Sequence, residues 1–178
     1  MTHTDFRDSL APVQLVISIF VPFLGVLAVT GVRRPGSGRG LTRRLLAAES
    51  LAAGCALAGV ALTAIAIAGS GGSWPPGTVL AMLVVGSVLV QLIAQSTGTA
   101  CGLLLRRPVV AMAATIVVPM GVTAVLSAID PGGGLVGWLT PYGNAQALLA
   151  ARPTVALAVV VVLWCVLPNL LGARTVRS

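Results

Sequence analysis

The side chains able to do chemistry are few, and they sit at helical spacing inside apolar runs. Ser87, Gln91, Gln95 and Thr99 recur every four residues, as do Thr115, Pro119, Thr123 and Ser127. That interval puts each set on one slowly turning stripe of a helix. Amides and hydroxyls in lipid need partners, which a neighbouring helix or a polar path supplies. The stripes therefore read either as glue, joining segments three and four or two copies of the chain, or as the lining of a substrate path. Glu49 stands close to Arg43 and Arg44. It reads as a dipole partner at a helix N-terminus, or as a contact to a partner outside the membrane. His3 is the only histidine, and all eleven basic residues are arginine. Histidine catalysis and metal sites thus lack their residues, and a Walker A loop lacks the lysine that reaches the phosphates. The expectation is a chain that is not an enzyme and holds no cofactor or metal of its own. No acidic residue falls mid-span, where proton-driven pumps place a carboxylate, so any transport would draw its energy from another subunit.

The elements that must position these residues are set by composition. Of the 178 residues 57% are hydrophobic and 8% charged, and the mean hydropathy is +1.01. Soluble domains carry about 25% charged residues. One all-α, polytopic membrane domain over 1–178 is the expectation, with spans at about 11–31, 46–69, 78–105, 108–129 and 154–171. Segments three and four are parted only by Arg106, Arg107 and Pro108, a hairpin from Gly77 to Ala128. Pro12 falls at the start of segment one, where helices accept proline, and Pro22 lies inside it as a kink. Pro35, Gly36, Gly38 and Gly40 should keep residues 32–40 from helix. An amphipathic turn should follow from Leu41, with Leu41 and Leu45 opposite Arg39 and Arg43. Ser50, Gly54, Cys55 and Gly59 in segment two, and Gly98 and Gly102 in segment three, are small residues suited to close helix approach. Residues 130–153, with Trp138, Tyr142 and the run Ala145–Ala151, should lie at the membrane interface or dip into it. Cys55, Cys101 and Cys165 are scattered in apolar runs and read as packing residues, not as a disulfide or zinc framework.

The arginines orient the spans. Arg33, Arg34, Arg39, Arg43, Arg44, Arg106, Arg107, Arg174 and Arg177 fall on one side, and only Arg7 and Arg152 on the other. By the positive-inside rule the N-terminus is outside and the C-terminus inside. MTHTDFRDSL is not the basic start of a secretory signal. The net charge of +7 comes from these short loops, which suits lipid headgroups and excludes a nucleic-acid face. The wealth of Ala, Gly, Val and Arg points to GC-rich coding, hence to a bacterial cell membrane.

Several stretches resemble the membrane subunits of ABC-2-type ABC transporters. FVPFLGVLAVTGVRRPGSGRGLTRRLLAAESLAAG is similar to that family's second span, cytoplasmic coupling segment and entry to the third span. LIAQSTGTACGLLLRRPVVAMAATIVVPM resembles its fourth span, tight arginine turn and fifth span. WLTPYGNAQALLA resembles the external segment before the last span, and LLGARTVRS the closing helix end. The family has six spans and a cytoplasmic N-terminus; here the first span is missing, which leaves the N-terminus outside. Val32 and Arg33 stand where the family often has an acidic residue. The resemblance implies a permease subunit of an ATP-driven exporter, paired with a second membrane subunit. A separate ATP-binding subunit, which would hold ATP and Mg, would dock on Arg33, Arg34, Arg39, Arg43, Arg44 and Glu49. The other reading is a non-transporting membrane accessory or scaffold, a degenerate permease that still folds. A secondary transporter is disfavoured, because no intramembrane charge or inverted repeat is visible.

Overall fold

The computed structural model describes residues 5–30, 38–105, 107–152 and 155–177. The described residues form helices and short connections: α1 (Phe6–Thr30), α2 (Gly38–Ser70), α3 (Gly77–Leu104), α4 (Pro108–Ile129), α5 (Gly134–Leu139) and α6 (Pro141–Leu149). The last span follows as α7 (Ala156–Val160), a π-helical turn (Val161–Val166) and α8 (Leu167–Arg177). Five helices are long and apolar enough to cross a membrane: Phe6–Thr30, Thr42–Ser70, Gly77–Leu104, Pro108–Ile129 and Ala156–Arg174. Many of their residues are Val, Ile and Gly, poor helix formers in water. In lipid the backbone has no water to bond, so helix is the one open conformation that pairs every N–H and C=O within the segment. The protein is a multi-pass, all-helical membrane protein.

Two helix starts differ from the sequence reading. Segment one begins at Phe6, so Pro12 lies inside α1, not at its start. The early start is anchored: Phe6 N–H donates to the Ser73 carbonyl (3.2 Å), and its ring stacks on Trp74 with centroids 5.4 Å apart. Segment two begins at Gly38, and Gly40 lies in its first turn, so neither glycine stops the helix. The amphipathic turn and the span are one helix of 33 residues. At 1.5 Å per residue it is roughly 50 Å long, well beyond the roughly 30 Å of hydrocarbon it must cross. The lower part of the arginine loop, residues 31–37, lies outside the described residues.

α3 is the axis of the bundle and packs against α1, α2, α4, α6 and the last span. Its closest neighbour is α1. A Cβ added at Gly98 would collide with the Pro22 carbonyl, and one at Gly102 with Val29. On the other side, a Cβ on Gly25 would fall 2.5 Å from the Gln95 carbonyl and from Thr99 N. The small-residue pair of segment three thus lets two backbones touch. α4 is held least tightly: of its 22 residues only Ala111 and Thr115 are buried.

Helices α5 and α6 form a short hairpin that folds back into the bundle. Ala145 and Leu148 pack on Val90, about halfway along α3, and the Leu148 carbonyl lies 2.8 Å from where a Cβ of Gly86 would be. From the last span, Trp164 Nε1 donates to the Leu139 carbonyl at 2.8 Å. Irregular backbone at this depth is tolerated only when enclosed by protein and internally bonded. The apex meets both conditions. Thr140 and Asn144 are buried. Thr140 Oγ1 donates to the Val136 carbonyl (2.7 Å) and accepts from Gly143 N–H (3.1 Å), while Asn144 Nδ2 donates to the Gly137 carbonyl at 2.7 Å.

Candidate functional site

The α3 stripe meets α1 and not α4. Gln91, fully buried, donates from Nε2 to the Gln14 backbone carbonyl at 2.9 Å and to Gln14 Oε1 at 3.0 Å. Gln14 Nε2 in turn donates to the Ala56 carbonyl of α2 at 2.9 Å. Three spans are thereby tied at mid-bundle. Gln14 was not singled out in the sequence. The signal was present: an amide in an apolar run, four residues before Ser18, repeats the spacing seen on segment three. The rest of the stripe turns inward on its own helix, with Ser87 Oγ donating to Leu83 O (2.8 Å) and Thr99 Oγ1 to Gln95 O (3.2 Å). Gln95 is fully buried, and among the described residues neither its Oε1 nor its Nε2 has a partner; Gln91 Oε1 also has none there.

The α4 stripe borders a cleft of about 520 Å³. Thr115, Pro119 and Thr123 form one wall, Ser18, Ile19 and Pro22 of α1 the facing wall, and Thr97 of α3 part of the floor. Pro141, Tyr142 and Ala145, at the apex of the α5–α6 hairpin, complete the lining. Ser127 lies outside it and is exposed. The two stripes therefore serve different places: one is locked in the α1–α3 seam, and the other faces open space between α1 and α4.

The residues expected to meet an ATP-binding subunit are described only in part. Arg33 and Arg34 lie outside the described residues, and Arg39 falls in the first turn of α2. Arg43 and Arg44 are exposed, and Arg107 and Arg174 are exposed at the same end of the bundle. Glu49 departs from them. It lies about three turns inside α2, too deep for the dipole of the N-terminus at Gly38 to explain it. Half-buried, it lies beside the Ser96 hydroxyl of α3 and Cys165 of the π turn. The backbone there is also tied across helices, since Asn169 Nδ2 donates to the Ser96 carbonyl at 3.0 Å. The three cysteines are free thiols.

Comparison with protein-family models, with curated proteins and with solved structures finds no match to this chain.

Proposed function

We propose that this chain is the membrane-spanning permease subunit of an ATP-driven exporter, energised by a separate ATP-binding subunit and paired with a second membrane subunit. The arginine-rich end faces the cytoplasm, the N-terminus is outside and the C-terminus inside, in a bacterial cell membrane. One observation carries the reading: α2 runs unbroken from Gly38 to Ser70, with Arg43 and Arg44 exposed at its protruding end. A helix is stiff, so force applied to that end reaches Ala56, and through Gln14 and Gln91 the α1–α3 core. The loosely held α4 is the element such a push can displace. The resemblance of the sequence to ABC-2-type membrane subunits supports the same assignment.

The test is affinity purification of the tagged protein in mild detergent, with mass spectrometry of co-purifying chains. A stoichiometric ATP-binding subunit is expected, lost in the double variant Arg43→Glu, Arg44→Glu while the protein still elutes as a folded species. A well-folded protein that brings no ATPase when its native neighbours are expressed would refute the proposal and leave a membrane accessory or scaffold.

A further inference from the structure

Two prolines line the cleft between α1 and α4. Both of them, Pro22 and Pro119, sit inside helices. Proline has no N–H, so the carbonyl four residues earlier loses its helical donor. Those carbonyls belong to Ser18 and Thr115, which also line the cleft. The nearby hydroxyls are already committed. Ser18 Oγ donates to Leu15 O at 2.7 Å and Thr115 Oγ1 to Met112 O at 2.7 Å. Thr97 Oγ1 donates to Ile93 O at 2.9 Å and Thr123 Oγ1 to Pro119 O at 2.8 Å. Two residues of the lining, one on α1 and one on α4, therefore have carbonyls without their usual helical donor, in a space otherwise lined mainly by Leu, Ile, Val, Ala and Met side chains. An acceptor without a donor is costly in hydrocarbon. Tyr142 adds the complementary group at the hairpin apex: its oxygen accepts from Gln146 Nε2 at 2.8 Å, which leaves its own proton to give.

We propose that the cleft binds a membrane-dissolved amphiphile, with an apolar body and an uncharged or cationic head that donates hydrogen bonds, a hydroxyl or an ammonium. The body fills the roughly 520 Å³ between α1, α3 and α4. The head supplies the donor that Pro22 and Pro119 withhold from Ser18 and Thr115. A carboxylate head can take the Tyr142 proton but offers none to the Ser18 and Thr115 carbonyls, so it binds more weakly. The site does not depend on the exporter reading, since it is defined by this chain alone.

The experiment is photolabelling of the purified full chain in phospholipid nanodiscs. The probes are hexadecanol, hexadecylamine and hexadecanoic acid, each with a diazirine at the same chain carbon, used at about pH 9 so that the acid is ionised despite the raised pKa of a carboxyl in a bilayer, and labelled peptides are mapped by mass spectrometry. The alcohol and the amine should label Ile19 and Met120 about fivefold above the lipid-facing Val117 and Val118, the worth of one or two hydrogen bonds, and the acid should not. Ala124→Trp, which fills the cleft from its edge, should abolish the enrichment. Pro119→Ala, which restores an N–H to the Thr115 carbonyl, should lower it for the alcohol and the amine while labelling of Val117 persists. Equal labelling by all three heads (occupancy by ordinary lipid tails), enrichment of the acid, or protection of Ile19 and Met120 by a second copy of the chain each overturns the proposal.

Discussion

A glutamine with both ends of its amide unpaired is a burden that a membrane helix has no need to carry for packing alone. Gln95 and Gln91 are one turn apart and equally buried, yet their circumstances are opposite. Gln91 fastens α3 to Gln14, whereas Gln95 is buried and has no partner among the described residues. Replacing each by methionine, similar in length and without polar ends, should separate them. Gln91→Met deletes two interhelical bonds and should lower stability by about 0.6–1.7 kcal/mol, the range measured for such bonds in membranes. Gln95→Met removes only a desolvated amide and should leave stability unchanged or raise it by about 1 kcal/mol. Thermal unfolding of the two variants in detergent reads the difference. If Gln95→Met stays stable but abolishes the proposed transport, the amide serves a passing molecule and not the fold; a destabilised Gln95→Met would show that it has a packing partner after all.

At the scale of the element, the α1–α3 contact makes the sharpest demand on sequence. Gly98 and Gly54 both stand in small-residue patterns, but a Cβ at Gly98 meets the backbone of Pro22, and one at Gly54 meets nothing within 4 Å. Gly98→Leu should therefore cost about 1–3 kcal/mol or more through overpacking, and Gly54→Leu almost nothing. Equal unfolding temperatures for the two would mean that α1 and α3 do not touch. The pair also shows what could be read from the sequence. Period and length gave the spans, because hydrocarbon permits helix and little else, and the Gly98–Gly102 interval announced a close approach. Neither could name the neighbour: spacing fixes a face, whereas α1 supplies Pro22 and Gly25, which form no motif of their own. The helix start at Gly38 was obscured by glycines, whose weak propensity is outweighed once the following turns are anchored in the bundle. The α5–α6 hairpin was half legible. Ala145–Ala151 is too short to span, but Thr140 and Asn144 find their partners at Val136 and Gly137 only when the chain folds back. The cleft was the least legible, because its walls come from four helices and its polar stripe from only one of them.

At the scale of the whole molecule, helix packing is indifferent to which end faces the cytoplasm, since the same bundle inverted in the bilayer keeps every contact. Charge alone breaks that symmetry. Arg43, Arg44, Arg107 and Arg174 are exposed at one end, while the Phe6–Trp74 stack and the α5–α6 hairpin mark the other. Each arginine moved across the membrane costs several kcal/mol during insertion, so the imbalance of nine against two counted in the sequence predicts one orientation, with the arginine-rich end inside. The measurement uses single cysteines in a background with Cys55, Cys101 and Cys165 replaced by alanine. Ser73 and Arg44 are both exposed at loop or helix-end positions. A membrane-impermeant maleimide should label Ser73→Cys in intact cells and Arg44→Cys only after lysis. The reverse pattern would put the arginine-rich end of α2 outside, beyond reach of any cytoplasmic ATPase, and the exporter proposal would fall with it. The amphiphile cleft would survive that outcome, because its walls lie between the two ends.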